Sequence, residues 1–225
     1  MIARLVIQTT AWLGAMAVLL FVPAGTIDWP GAWAFLAEMA AMGFGLGFWL
    51  ARHDPALLAE RMSLPIQRGQ KRWDKIFLAA VMALFILWLV AMALDAGRWR
   101  WSSVPLAARV VGALLIGLTG ALGYLTFREN SYAAAVVKVQ KERGQKTVST
   151  GPYRYVRHPF YAGAVLYFLG APLPLGSRLG LALAPLLIAA VAFRAVLEER
   201  LLAAELDGYA AYAARTRWRL VPWVW

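Results

Sequence analysis

Two short stretches of this 225-residue chain concentrate the residue types that can bind and orient a polar ligand. The first is Gly151-Pro-Tyr-Arg-Tyr-Val-Arg-His-Pro-Phe-Tyr161, with three tyrosines, two arginines and the second of only two histidines. Pro159 holds its own φ and pushes His158 into an extended conformation. A proline also suits the first turn of a helix. A helix that starts here presents free N–H groups and the positive end of its dipole. With Arg157 and His158 beside it, the stretch suits a carboxylate or phosphate, and Tyr153, Tyr155 and Tyr161 offer faces for a base or a cation. The plainer alternative is an interfacial collar of Arg, His and Tyr at a helix start.

The second stretch is Arg194-Ala-Val-Leu-Glu198-Glu199-Arg200. Arg194 and Glu198 form an i,i+4 pair on one helix face. Glu199 points about 100° away from Glu198, so one carboxylate can hold an arginine while the other takes a ligand amine or hydroxyl.

The elements that must position these stretches are membrane helices. The chain is 61% hydrophobic and 16% charged, with a mean hydropathy of +0.60, and the apolar residues come in blocks. The expected fold is all-α and polytopic: five to six transmembrane helices, a C-terminal helical hairpin and a cytosolic surface helix. The segments run from about Leu5 to Val22, Ala32 to Ala51, Ile76 to Leu94, Pro105 to Phe127, Phe160 to Leu175 and Leu179 to Leu197, most near the ~20 residues a crossing needs. The fifth is short and ends on Pro172 and Pro174. The N-terminal run is read as a retained first helix, because no convincing cleavage site follows it. Tyr132 to Val139 is expected to form an amphipathic helix, and the tail from Glu198 to Ala214 a surface helix broken near Gly208. Residues 1–127 are expected to form the N-terminal helices, and 128–225 a separate region that carries both polar stretches.

The net charge of +11 follows the loops. The 52–75 connection, Arg68 included, the 128–157 segment and the 194–225 tail hold 18 of the 23 basic residues. An even number of crossings puts all three, and both termini, in the cytoplasm (the inner or plasma membrane in a bacterium). It also puts the two polar stretches on one side. Basic charge in such loops points to lipid headgroups, not nucleic acid. The absence of cysteine excludes thiolate metal sites and a cysteine nucleophile. His53 and His158 are too far apart in sequence for a metal motif, so no metal is expected. Glu38, the one charge inside the second segment, is read as a residue near the outer headgroups.

Five separated elements then carry a family resemblance: Gly151-Pro-Tyr-x-x-Val-Arg-His-Pro-x-Tyr161, a hairpin, Glu198-Glu199-x-x-Leu202, Gly208-Tyr-x-x-Tyr212 and Arg219-x-x-Pro222. In this order they resemble the isoprenylcysteine carboxyl methyltransferases, and the phospholipid N-methyltransferases share the Arg-His-Pro and Glu-Glu elements. The resemblance covers the C-terminal half. It implies an integral membrane enzyme that uses S-adenosyl-L-methionine without a Rossmann fold, in keeping with the lack of a G-x-G-x-x-G fingerprint.

By motif position it implies cofactor contacts from Gln140, Gln145, Lys146, Thr147, Val148, Tyr153, His158, Pro159, Phe160, Tyr161 and Glu199. His158 and the following helix start would meet the cofactor carboxylate, and Glu199 its amine or ribose. Arg194, the nearest match to the acceptor-side arginine, and Glu198 are the candidate catalytic residues. Glu198 and Arg157 are also expected to support the fold. Gln145 stands where the isoprenylcysteine enzymes often have His. The acceptor is expected to be lipidic or at least membrane-accessible, with carboxylate O-methylation favoured. Phospholipid N-methylation is the alternative, and a sterol-reductase-like redox enzyme or a small transporter are the more distant ones.

Overall fold

The computed structural model describes residues 1–63 and 70–225; Arg68 of the basic connection lies outside them. The structure is 74% helical with no strand among the described residues. Five helices are long and apolar enough to cross a membrane: α1 (Ile2–Ala24), α2 (Pro30–His53), α4 (Arg72–Met92, extended by a π-helical turn Ala93–Arg98), α5 (Leu106–Glu129) and α8 (Arg178–Glu205). The shorter elements are α3 (Pro55–Arg61), α6 (Pro159–Gly170), α7 (Pro172–Leu175) and α9 (Tyr209–Arg215).

The expected segments are all present, with differences that have local causes. The short fifth segment divides at Pro172 into α6 and α7. At 1.5 Å per residue, the 12 residues of α6 span only about 18 Å. The α7 turn nevertheless reaches the opposite face of the molecule, where the Trp29 indole donates to the Leu175 carbonyl at 3.2 Å. There the buried Asp95 carboxylate accepts from Ser177 Oγ at 2.6 Å and from the Leu179 amide at 3.1 Å, which ties the turn to the start of α8.

The helix expected over Tyr132 to Val139 does not form. Its carbonyls are taken by side chains from outside the stretch: Tyr132 by Gln140 Nε2, Ala133 by Arg61 Nη1 and Ala135 by Arg194 Nη2, each at 2.9 Å. Asn130 starts the departure from α5 by accepting from the Tyr132 amide through its side chain. The third segment, expected to end near Leu94, continues as the π-helical turn to Arg98.

Helix α8 runs further than expected. Its 28 residues span about 42 Å, longer than about 30 Å of hydrocarbon, and its C-terminal turns carry Glu198 and Glu199. The core that holds the bundle packs Leu20, Phe35, Met39, Trp88, Leu89, Met92, Ile116 and Leu187, from five helices. Both ends of the chain lie on the face toward which α8 projects. Arg4 Nη2 donates to the Met62 carbonyl at 2.6 Å, and neighbouring Arg61 is bound to Ala133.

Candidate functional site

A cleft of about 850 Å³, its solvent-facing mouth included, opens on this face. Its walls come from the 130–148 loop, the Tyr153 to Tyr161 stretch, the last turns of α8, α9 and the end of α3.

The position of the 153–161 stretch is set from outside by the tail. Val156 and Trp218 form an isolated parallel bridge. The Arg157 amide donates to the Trp218 carbonyl at 2.9 Å, and the His158 amide to the Arg219 carbonyl at 3.0 Å. Upstream, Gly151 has φ 54°, and a Cβ at this position would collide with the Glu129 side chain, so the bend before Pro152 needs glycine. Pro159 then opens α6 with no side-chain cap, leaving the Phe160 and Tyr161 amides without a partner among the described residues.

The adjacent carboxylates of α8 face different neighbours. Glu198 lines the cleft, where its Oε2 accepts from the Tyr161 hydroxyl at 2.6 Å. Glu199 is outside the lining and holds three basic side chains: Arg157 Nε at 2.8 Å, His158 Nε2 at 3.2 Å and Arg219 Nε at 2.9 Å. A carboxylate can only accept, so the contact places a proton on Nε2 of His158. The His158 ring stacks on Tyr161, centroids 5.4 Å apart.

Of the residues expected to touch a cofactor, Gln145, Lys146, Thr147, Val148, Tyr153, His158, Pro159, Phe160 and Tyr161 all line the cleft. Gln140 and Glu199 do not. Gln140 is fully buried and organises the loop: its amide donates to Gln145 Oε1 at 2.7 Å and its Oε1 accepts from Arg143 Nη1 at 2.6 Å. Thr147 Oγ1 donates to the Asp207 carbonyl at 2.8 Å and closes the loop onto the tail. Tyr155 is exposed and faces away.

Arg194 also lies outside the lining. Its Nε donates to Asp74 Oδ1 at 3.0 Å, and its guanidinium stands 5.7 Å from the centre of the Tyr161 ring. Asp74 is completely buried, and its Oδ2 accepts from the Val137 amide and Gln70 Nε2, both at 2.9 Å. The Asp74–Arg194 pair therefore fastens the loop behind the cleft to α4 and α8.

Three further lining residues were not among the expected site residues, although Tyr209 belongs to one of the quoted sequence elements. Arg61 reaches in from the end of α3. Asn130 Nδ2 donates to the Tyr153 hydroxyl at 2.7 Å. Tyr209 is buried, yet its hydroxyl has no protein partner among the described residues. The first two lie far from the motif stretches, and only the folded loop brings them in. Burial raises the phenols of Tyr153 and Tyr209 far above the ordinary tyrosine range, and that of Tyr212 to about 12. All three remain neutral hydrogen-bonding groups at physiological pH.

Residues 107–206 match the family model described as phospholipid methyltransferase. The chain carries a membrane methyltransferase segment. No match to it was found among curated proteins. The cleft residues all fall within the matched segment except Arg61, Tyr209 and Tyr212. The residues present suit S-adenosyl-L-methionine chemically. They supply a carboxylate for positive charge, aromatic walls, two unpartnered amides at a helix start and an orphaned phenol for polar groups.

Proposed function

We propose that the protein methylates a lipidic, membrane-accessible acceptor with S-adenosyl-L-methionine, in the cleft between the 130–148 loop, the start of α6 and the end of α8. The observation that carries this reading is the coincidence of the cleft walls with the segment matched to a methyltransferase family.

When bound, the cofactor supplies a methyl group whose bonding pair leaves with sulfur. The protein's part is to hold donor and acceptor in line and to exclude water. The Phe160 and Tyr161 amides face a carboxylate, as at any open helix start. Glu198, oriented by Tyr161, meets an amine or the sulfonium charge. Tyr153, Tyr209 and Tyr212 provide aromatic surface. Gln145 to Val148 cover the cleft from the loop side. Glu199 acts through His158 and Arg157, fixing the stretch that bears the helix start. Arg194 acts through Asp74 and the loop backbone. In this reading residues 128–225 form the catalytic region, braced by Asp74 from the N-terminal helices. The basic loops on the same face orient that face, and both ends of the chain, toward the cytoplasm.

Two acceptor chemistries suit the site. A carboxylate oxygen needs no base to attack a sulfonium methyl, which keeps O-methylation in favour. The description of the matched family favours an amine of a phospholipid headgroup instead. Incubating membranes that contain the protein with methyl-labelled S-adenosylmethionine tests both. The expected result is label in the lipid extract. Mild base releases it as methanol from an ester and leaves it in place on an amine. A lipid extract without label, alongside folded protein, contradicts the reading.

A further inference from the structure

The cleft contains a cation that neither the matched segment nor the mechanism above uses. Arg61 closes α3, with its guanidinium 4.5 Å from the centre of the Phe127 ring and 4.8 Å from that of Phe160. Its Nη1 donates to the Ala133 carbonyl at 2.9 Å. The other basic side chains of the lining are differently placed. Lys138 pairs with Glu60 at 2.8 Å, Arg157 and His158 are held by Glu199, and Lys146 is open to solvent. Among the described residues, Arg61 is thus the half-buried cation of the lining with no carboxylate bound to it. Burial lowers it to about 10, so it stays charged at neutral pH.

A guanidinium has five N–H groups in a planar fork, and one carbonyl uses only one of them. The unmet demand is for an anion with two oxygens side by side, a carboxylate or a phosphate. The cation also repels the positive end of a sulfonium donor, so this corner of the cleft is for another molecule. Its walls say which. Phe127 packs with Leu5, Leu50, Leu57 and Leu58, from the ends of α1 and α2 and from α3. Tyr153, Tyr209 and Tyr212 belong to a separate cluster with Val148, Leu202 and Leu206. Arg61 therefore stands where the membrane helices meet the cleft.

We infer that Arg61 is the anion anchor for the methyl acceptor. The acceptor is then an anionic amphiphile whose carboxylate or phosphate sits against the Arg61 fork, with its chain on the bilayer side. This inference rests on the methyltransferase reading for the word acceptor. The anion is the reacting group itself in O-methylation, and the phosphate beside the amine in phospholipid N-methylation.

The test is equilibrium binding of dodecanoate, dodecyl phosphate and dodecanol to the full chain in neutral-detergent micelles, read by tryptophan fluorescence. Binding of S-adenosylmethionine is measured separately by equilibrium dialysis. The native protein is expected to bind one of the two anions at least about ten-fold more tightly than dodecanol. Which of the two it prefers distinguishes the carboxylate from the phosphate source. Arg61→Gln is expected to remove the preference and leave dodecanol and S-adenosylmethionine affinities within about two-fold of native. If Arg61→Gln fails to fold, Arg61→Lys keeps the charge without the fork, and its preference should fall at least about three-fold. No preference in the native protein, an unchanged one in the variant, or an equal loss of cofactor affinity overturns the assignment. Failure of the native protein to bind S-adenosylmethionine would instead remove the methyltransferase reading, while the amphiphile comparison would still report on Arg61.

Discussion

His158 and Glu199 are 41 positions apart in sequence and 3.2 Å apart in space, and the same Glu199 oxygen stands 2.8 Å from Arg157. Arg219 takes the other oxygen. One carboxylate thus joins the start of α6, the end of α8 and the C-terminal tail. Glu199→Gln leaves two guanidiniums and the His158 ring around a neutral amide. The expected cost is about 2–3 kcal/mol of stability, since removing one partner of a shielded ion cluster strands the others. Thermal unfolding in detergent checks this as a lowered midpoint.

Glu198→Gln should behave differently. Its carboxylate lines the cleft, and an amide oxygen can still accept from Tyr161. Stability should stay within about 0.5 kcal/mol of native, as for substitutions that strand no buried partner. Affinity for S-adenosylmethionine should drop about ten-fold or more through loss of charge complementarity. Equilibrium dialysis on the two variants side by side separates the two adjacent residues.

Arg194 and Asp74 give a third expectation. Arg194→Ala removes the cation bound to a completely buried carboxylate, at an expected cost of about 3–5 kcal/mol. Turnover and cofactor binding then fall together with the folded fraction. Replacing both residues, Asp74→Asn with Arg194→Met, should recover a large part of the lost stability. A stable Arg194→Ala protein with normal cofactor affinity and reduced turnover would return Arg194 to direct contact with the acceptor.

The helices were legible because long apolar blocks bounded by Pro, Gly and Trp leave few alternatives in a bilayer. The Gly151 to Tyr161 stretch was legible because its residue types are dense and its prolines fix the geometry. The division of labour between Glu198 and Glu199 was legible only in part. Helical spacing separates their directions by about 100° but does not say which one meets the cleft. That depends on Arg219, brought in by the tail bridge at Trp218. The irregular 130–140 loop was not legible, because its apolar spacing suits a helix while its carbonyls are claimed by Arg61 and Arg194 from elsewhere in the chain and by its own Gln140. Arg61 and Asp74 were hidden for the same reason: each is an ordinary loop or helix-end charge until the fold closes.

Alkaline titration tests the aromatic wall. Tyr212 titrates near 10 when unfolded and about 12 when folded, first because of burial. The folded state therefore holds its proton more tightly. The stability this contributes is fully present below pH 10 and is lost as pH rises toward 12. Tyr153 and Tyr209 act in the same direction. Tyrosinate absorbance from these three phenols should appear together with loss of near-UV circular dichroism. Tyr212→Phe, which also removes the 2.9 Å bond to the Tyr153 carbonyl, should reduce the slope of stability against pH in that window.

The central claim is that the cleft beside Glu198 is the S-adenosylmethionine site. Equilibrium binding of labelled S-adenosylmethionine to the purified native protein and to Glu198→Gln tests it most directly. The expected result is saturable binding with one site per chain in the native protein, weakened at least about ten-fold in a variant with an unchanged melting temperature. A folded native protein that does not bind, or a Glu198→Gln protein that binds as tightly as native, contradicts it.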